Sequence, residues 1–193
     1  MATGKDTVRI ALAQVNPTVG DLAGNLQLVR RLVGEAKAAG AQLLAFPELV
    51  ICGYPPEDLL LKPRFLADCE AALAEAACLA RGIALVVGAP EPPARRGGRP
   101  WNTAVLLHRG RVAARYRKIE LPNYGVFDER RYFESGDSPV VADLNGCRVG
   151  LSVCEDVWID RGPVGDLVAD GEAGIVVNIS ASPYHRRKGP ERE

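Results

Sequence analysis

The chain has 193 residues, 47% of them hydrophobic, which suits one domain, or most of one, with a sizeable core. Basic and acidic residues balance at 24 each, so no basic excess exists to neutralise the phosphates of a nucleic acid. No apolar run approaches the roughly 20 residues of a membrane span, and the N-terminus lacks a signal-peptide pattern, so we expect a cytoplasmic protein that binds neither membrane nor nucleic acid. The five cysteines contain no CxxC pair, which argues against a disulfide framework or a zinc site.

The first half of the chain predicts alternating strands and helices. Apolar, β-branched runs predict strands, and apolar residues at spacings of three and four predict amphipathic helices. Asp21 is the expected N-cap of the first helix and Gly40 its expected stop. The expected order is a strand at 7–15, a helix after Asp21, a strand at 41–46, a loop at 47–63, a helix at 64–80 and a strand at 83–90.

The second half predicts hairpins and one further crossover. Two pairs of strand-like runs flank the turns "RG" and "NG", a pattern typical of β-hairpins. A short helix at 163–171 and a buried strand at 174–180 follow. Crossovers combined with hairpins predict an α/β fold with a mixed sheet. Because the chain stops soon after a strand, we expect one domain over 1–193 that is truncated at its C-terminus.

Three predicted strand ends carry a chemically useful side chain, and strand ends are where reactive groups gather in such folds. Glu48 follows "LLAFP", Lys118 follows "RYR", and Cys154 follows "GLSV". Taken singly, each has an ordinary interpretation: a solvated acid, a surface lysine and a buried core thiol.

Together the three residues could cleave an amide. A thiol attacks as its thiolate, so a carboxylate that removes the proton would activate it. A lysine ammonium would stabilise both the thiolate and the oxyanion of a tetrahedral intermediate. The two histidines are poorly placed for a Cys–His pair, and no GxSxG elbow is present.

The segments around these residues resemble the nitrilase, or carbon-nitrogen hydrolase, superfamily, whose hallmark is a Glu–Lys–Cys triad in this chain order. Four strings, "GYPPEDLLL", "LPNYGVFDERRYF", "CEDVW" and "ISASPYHRRK", look more specifically like the glutamine-hydrolysing domain of glutamine-dependent NAD synthetases. The resemblance covers nearly the whole chain. It implies an αββα sandwich with a mixed β-sheet.

The resemblance also implies roles for individual residues. Glu48 would be the general base, Cys154 the nucleophile that attacks the glutamine amide, and Lys118 the group that stabilises the charged intermediate. A second set would help to hold the glutamine: Tyr124, Ser182 and Lys188. Glu129 matches, on a looser spacing, an additional acid found near the triad in many relatives. Glu155 could face the substrate ammonium or pair with a neighbouring cation. The other four cysteines, Cys52, Cys69, Cys78 and Cys147, are interpreted as structural.

The glutaminase step implied by this resemblance needs no cofactor or metal. A full NAD synthetase also has a domain with an SGGxDS phosphate loop, which uses ATP, Mg and deamido-NAD and accepts the ammonia; that motif is absent here. The resemblance implies homo-oligomers, and glutamine as the substrate. Two alternatives stay open: a stand-alone nitrilase-type amidase for another small amide, and an inactive truncated remnant or binding module.

Overall fold

The computed structural model describes residues 7–160 and 162–183. Within these ranges there are eight strands, four α-helices and two 3₁₀ turns. In chain order they are β1 Ile10–Leu12, α1 Leu22–Ala38, β2 Leu43–Ala45, a 3₁₀ turn Glu57–Leu61, α2 Pro63–Leu79, β3 Ala84–Glu91, β4 Trp101–His108, β5 Arg111–Arg117, α3 Glu129–Tyr132, β6 Val140–Leu144, β7 Cys147–Val153, a 3₁₀ turn Cys154–Trp158, α4 Pro163–Ala169 and β8 Ile175–Ile179.

The strands form two mixed sheets. The larger has the order β1-β2-β3-β4-β5, with β1, β2 and β3 parallel and the β4 and β5 pairings antiparallel. The smaller has the order β6-β7-β8, in which β6 and β7 are antiparallel and β7 and β8 are parallel. The crossovers and hairpins expected from the sequence are therefore both present.

Helices α1 and α2 cover the outer face of the larger sheet. The side chain of Asp21 accepts a hydrogen bond of 2.9 Å from the amide of Gly24 and so caps α1, as the sequence predicts. The apolar stripe of α1 packs with the apolar face of α2 against alternate residues of β3 and β4. This burial of one helix face is what fixes both helices on the sheet.

A second apolar cluster lies between the sheets. Leu43, Val86 and Leu106 of the larger sheet pack with Leu151 and Val177 of the smaller one. Helix α4 packs on β7, with Leu167 next to Gly150. The layers therefore run helix, sheet, sheet, helix, which confirms the αββα prediction. None of the helices in the described part of the chain is both long and apolar enough to cross a membrane.

Three short elements differ from the expectation of plain loops. They are the 3₁₀ turn Glu57–Leu61, the single-turn helix α3 and the 3₁₀ turn Cys154–Trp158. None is long enough to show a helical repeat in the sequence, and each is held by its tertiary contacts. The last of them begins where β7 ends, after Val153, so Cys154 lies in a turn and not in the strand.

Candidate active site

Glu48 lies in a tight turn directly after β2. The next residue, Leu49, has a φ of 51°, and its backbone passes so close to β3 that a Cβ at Gly88 would collide with the Leu49 nitrogen. The amide of Ile51 donates to the carbonyl of Gly88, which ties the turn to that strand. As a result the Glu48 side chain is 1% exposed and is directed into the protein, where its carboxylate needs hydrogen-bond donors.

Lys118 follows the last residue of β5. Its amide donates a 2.8 Å hydrogen bond to the carbonyl of Asn102 on β4, which extends the pairing of the two strands by one residue. The Lys118 side chain is fully buried, and its Nζ lies 2.9 Å from Glu48 Oε1. A buried ammonium persists only with such compensation.

Glu129, the first residue of α3, is the second acid on this lysine. Its Oε1 and Oε2 lie 2.9 and 2.8 Å from Lys118 Nζ, and the hydroxyl of Tyr54 donates to Oε1 at 3.0 Å. Burial opposes the charge on Lys118, but the carboxylates of Glu48 and Glu129 outweigh it and raise the lysine pKa above its usual value. Burial, assisted by Glu48, raises the pKa of Glu129 despite the neighbouring lysine.

Cys154 directly follows the strand β7 and begins a 3₁₀ turn with a φ of 45°, a conformation that L residues rarely adopt. Such strain is frequent at functional sites. Burial, then the charge of Glu48, raises the pKa of the Cys154 thiol to about 12, while Lys118 and a hydrogen bond from Ser180 oppose the rise. The resting thiol therefore holds its proton and needs a base before it can attack.

The segment after β8 contacts both the thiol and the base. Ser180 Oγ lies 3.4 Å from Cys154 Sγ and accepts a 3.2 Å hydrogen bond from the amide of Ser182. The amide of Ala181 donates to Glu48 Oε2 at 3.0 Å. Asn178 of β8 also donates to the carbonyl of Cys154, at 3.4 Å. One short stretch of chain thus places the carboxylate and the sulfur beside each other.

Asp156 fixes the nucleophile turn against the larger sheet. Its carboxylate is fully buried. It accepts four hydrogen bonds: from the hydroxyl of Tyr116 at 2.8 Å and from the amides of Val153, Ile119 and Glu120 at 2.9, 3.3 and 2.9 Å. Two of these amides directly follow Lys118 and the third precedes Cys154. Asp156 therefore sets the spacing between the segments that carry the lysine and the thiol.

The residues expected to bind the substrate have different outcomes. Tyr124 is 59% exposed, and its hydroxyl lies 2.8 and 2.9 Å from the two carboxylate oxygens of Glu155. Burial and this contact raise the Tyr124 pKa to about 12. Ser182 follows the segment that contacts Cys154. Lys188 lies outside the described residues. Tyr124 thus contacts Glu155, the residue after Cys154, and Ser182 contacts Ser180, whose hydroxyl touches the thiol.

A cavity of about 340 Å³ adjoins the buried carboxylate of Glu129. Glu129 and Ala181 form part of its wall, and most of the rest is apolar, including Leu60, Val126 and Phe133. The cavity therefore gives Glu129 a neighbouring space that a small molecule could occupy.

The other cysteines are remote from this chemistry. Cys52 and Cys69 are fully buried in the core beneath the helices, and the Cys52 thiol donates to the carbonyl of Gly53 at 3.4 Å. Cys78 is exposed and Cys147 is half-buried. Within the described ranges, no group of three or more His, Cys, Asp or Glu side chains could hold a metal ion.

Sequence reasoning missed three residues of this site: Asn102, Asp156 and Ser180. Asn102 is fully buried and donates a 2.7 Å hydrogen bond to Glu48 Oε1. Asp156 and Ser180 lie in the strings "CEDVW" and "ISASPYHRRK", but neither string marks them individually, because each residue acts on partners that folding brings together. A polar residue inside an otherwise apolar strand, as in "WNTAVLLH", was the one available signal for Asn102.

Comparisons with known proteins agree with this geometry. The glutamine-dependent NAD(+) synthetase of Xanthomonas campestris pv. campestris (strain 8004) is 46% identical over 191 residues, which cover 97% of this chain and 34% of that protein. A solved structure of glutamine-dependent NAD+ synthetase from Acinetobacter baumannii, in complex with ADP, has a TM-score of 0.84 at 33% identity and covers 95% of this chain and 34% of that one. The chain thus spans about a third of the length of the curated relatives it matches.

A smaller protein is matched over more of its length. A cysteine-to-alanine mutant of the Nesterenkonia AN1 amidase, from the nitrilase superfamily, has a TM-score of 0.83 at 32% identity, covering 95% of this chain and 69% of that one. Another mutant of this amidase shows covalent addition of the acetamide moiety of fluoroacetamide at the active-site cysteine. Residues 9–192 match the family described as carbon-nitrogen hydrolase. With a buried carboxylate, ammonium and thiol on the αββα sandwich, this chain belongs to the carbon-nitrogen hydrolase family.

Proposed function

We propose that this chain hydrolyses the side-chain amide of glutamine and that the ammonia released serves the ATP-dependent amidation of deamido-NAD to NAD. The observation that carries the proposal is the 46% identity to an NAD synthetase over 97% of the chain. The buried arrangement of Glu48, Lys118 and Cys154 supplies the chemistry that the first step requires.

In the proposed first step, Glu48 takes the proton of Cys154 and the thiolate attacks the amide carbon of glutamine. The thiol pKa of about 12 makes a positioned base necessary, because a negligible fraction of the thiol would ionise unaided at neutral pH. Lys118 keeps its charge, since two carboxylates hold its proton, and it stabilises the oxyanion that forms on the amide oxygen.

In the proposed second step, the tetrahedral intermediate collapses and the C–N bond breaks. The proton held by Glu48 passes to the leaving nitrogen, so ammonia departs and a γ-glutamyl thioester remains on Cys154. Glu48 then takes a proton from water, which attacks the thioester carbon and releases glutamate and the thiol. Each proton that Glu48 accepts is returned, so the enzyme ends the cycle unchanged and the hydrolysis needs no cofactor or metal.

The glutamine backbone is proposed to bind at the exposed side of the thiol. Tyr124, Ser182 and Lys188 would hold it, the lysine meeting the carboxylate as a cation. Glu155, which contacts the hydroxyl of Tyr124, offers a carboxylate to the substrate ammonium. Glu129 holds Lys118 in place through its ion pair.

The ammonia acceptor is proposed to be an NAD synthetase domain, which in the relatives lies in the same, longer protein. That domain would use ATP, Mg and deamido-NAD. We further propose that 1–193 forms a single carbon-nitrogen hydrolase domain, that the protein works as a homo-oligomer, and that it acts in the cytoplasm, where thiols stay reduced.

The direct test incubates the purified chain with glutamine and measures ammonia and glutamate. The wild-type chain should release both in equal amounts, and Cys154→Ala should lower the rate about 1,000-fold or more. In an enzyme that includes the synthetase part, Cys154→Ala should abolish synthesis from glutamine yet leave synthesis from free ammonia intact. Retention of glutamine-dependent synthesis by that variant would show that Cys154 is not the nucleophile.

A second candidate is an amidase acting on another small amide. The apolar lining of the cavity beside Glu129 favours it, as does the match to an amidase over 69% of that chain. A panel of small aliphatic amides, assayed beside glutamine, separates the two. A kcat/KM for any of them well above that for glutamine would select the amidase.

A further inference from the structure

Asn102 contacts two of the three triad residues through different groups. It is the second residue of β4 and is fully buried. Its side-chain Nδ2 donates to Glu48 Oε1 at 2.7 Å, and its backbone carbonyl accepts from the amide of Lys118 at 2.8 Å. A single residue of the larger sheet therefore sets the position of the base and of the lysine.

The donors around Glu48 are unequally shared between its two oxygens. Oε1 accepts from Asn102 Nδ2 at 2.7 Å and from Lys118 Nζ at 2.9 Å. A carboxylate oxygen has two lone pairs, so these donors fill Oε1. Within the part of the chain that the structure describes, Oε2 accepts only from the amide of Ala181, at 3.0 Å. One lone pair of Oε2 is then left to take a proton.

The same oxygen lies on the side of the nucleophile. Ala181 follows Ser180, whose Oγ is 3.4 Å from Cys154 Sγ, so the segment that holds Oε2 also touches the sulfur. Oε1 is held from the other side, by β4 and by Lys118. The donor count and the direction of the contacts therefore select the same oxygen.

We infer that Asn102 is a positioning residue of the thiol site. Its side chain holds Oε1 of Glu48 and leaves Oε2 as the atom that takes the proton of Cys154. The inference rests on the proposed function only in treating Glu48 as the base. A donor to a carboxylate favours its ionised form, so loss of the Asn102 amide should move the onset of thiol reactivity to a higher pH. It should also let the carboxylate turn away from the sulfur.

The chain offers a matched control in the next residue. Thr103 is also fully buried in β4, but its hydroxyl donates to Glu91 at 3.3 Å, away from Glu48. Asn102→Ala and Thr103→Ala therefore both remove a buried polar side chain from one strand. Only the first removes a contact with the base.

The experiment measures the rate of Cys154 alkylation by iodoacetamide from pH 4 to pH 9, with mass spectrometry to identify the modified cysteine. It also measures kcat and KM for glutamine over the same range. For Asn102→Ala, the pH at which both alkylation and kcat/KM rise should move up by about one unit. The kcat on the plateau should fall about tenfold or more, with KM within about twofold of the wild-type value.

Thr103→Ala should leave the acid limb, which is the rise of alkylation and of kcat/KM with pH, at the wild-type position. An unmoved limb in Asn102→Ala, or an equal shift in both variants, would overturn the inference. If Asn102→Ala does not fold, Asn102→Asp replaces the amide by a group of the same shape. A second carboxyl beside Glu48 should also move the limb up, and an unmoved limb there would count equally against Asn102.

Alkylation separates this inference from the proposed function, because it needs no glutamine. A wild-type chain that is alkylated at Cys154 with a clear acid limb, yet releases no ammonia, would end the glutaminase proposal. The effect of Asn102→Ala on the pH dependence of alkylation could still be measured in that case, so the role of Asn102 would be tested independently.

Discussion

The hydroxyl of Tyr116 donates a 2.8 Å hydrogen bond to Oδ2 of Asp156, and this bond joins the larger sheet to the turn that carries the candidate nucleophile. Tyr116 is a fully buried residue of β5, and Asp156 lies two residues after Cys154. The tyrosine supplies one of the four donors to a carboxylate whose other three donors are backbone amides.

Removal of the donor and removal of the acceptor of this hydrogen bond should lower the free energy of unfolding by different amounts. Tyr116→Phe leaves the other three donors to Asp156 in place and should lower the free energy of unfolding by about 1–3 kcal/mol. Asp156→Ala leaves three backbone amides and a hydroxyl without their acceptor, and should cost more, about 3–5 kcal/mol. Urea unfolding followed by circular dichroism measures both. A larger loss for Tyr116→Phe would contradict the ranking.

Removal of the buried lysine charge should produce a pH-dependent loss of stability. Lys118→Met leaves Glu48 and Glu129 buried without a cation, which should cost about 3–5 kcal/mol at pH 8. Burial already raises the pKa of Glu129 and Lys118 opposes that rise, so without the lysine the folded pKa of Glu129 lies further above the unfolded value of about 4.3. The loss therefore grows as pH rises from that value towards the folded pKa of Glu129. The deficit against wild type should therefore be smaller at pH 5 than at pH 8.

The double variant Lys118→Met with Glu129→Gln is the control for this charge effect. It removes one of the two uncompensated acids and should recover part of the stability at pH 8. A deficit that is equal at both pH values, and is unchanged in the double variant, would mean that packing and not charge sets the loss.

Gly88 should be intolerant of a side chain because the Glu48 turn crosses it. In Gly88→Ala the new Cβ would meet the nitrogen of Leu49 and lie 2.8 Å from the carbonyl carbon of Glu48. Both contacts are with backbone, so the turn must move, at a cost of about 1–3 kcal/mol and with displacement of the base. Thermal unfolding and the alkylation rate of Cys154 should both report the change.

Gly34 gives the opposite expectation. It lies exposed on α1, and a Cβ there has nothing within 4 Å. Gly34→Ala should stabilise the protein by about 0.5–1 kcal/mol through helix propensity and leave Cys154 reactivity unchanged. A loss of stability in this variant would show that a side chain at position 34 does meet neighbouring atoms.

The raised thiol pKa predicts an alkaline difference between the wild-type protein and Cys154→Ala. Burial and Glu48 raise the folded thiol pKa from 9.0 to about 12, so the unfolded chain loses this proton first as pH rises. The wild-type protein therefore loses stability above pH 9 that the alanine variant keeps. The stability of Cys154→Ala relative to wild type should increase by about 1.4 kcal/mol between pH 7 and pH 10. A constant difference across that range would mean that the thiol is not shifted upward.

Ser180 should stabilise the thiolate of Cys154. The amide of Ser182 donates to Ser180 Oγ, which directs the Ser180 hydroxyl proton towards the sulfur at 3.4 Å. Ser180→Ala should lower kcat about three- to tenfold, whereas Ser180→Thr keeps a hydroxyl and should retain most of the activity. Ser138→Ala, which removes a surface hydroxyl paired with Asp137, is the control and should match the wild-type rate. Equal losses in the alanine and threonine variants at 180 would exclude the hydrogen bond as the cause.

The sequence was informative where local pattern decides structure. The helix that begins after Asp21, the strands that precede Glu48 and Cys154, and the two hairpins all follow from periodicity and turn residues, and the structure confirms them. These elements bring the three triad residues to the ends of strands. Their convergence at one place was predictable from the family resemblance, because a strand end alone does not specify its neighbours.

The partners of the triad could not be predicted in the same way. Asn102 reaches Glu48 across 54 residues, and Tyr116 reaches Asp156 across 40, so each contact depends on the packing of whole sheets. The exposed position of Tyr124 and its contact with Glu155 depend on the path of a loop without periodicity. The assignment of Lys188 to the substrate stays a prediction.

The bond between Glu48 Oε2 and the amide of Ala181 spans 133 residues of chain. During translation at roughly 5–20 residues per second, the carboxylate is made many seconds before its last donor leaves the ribosome. A nascent chain that has not yet reached Ala181 consequently lacks one of the donors that hold Glu48. The order of the chain thereby delays assembly of the site until the segment with Ala181 has been made.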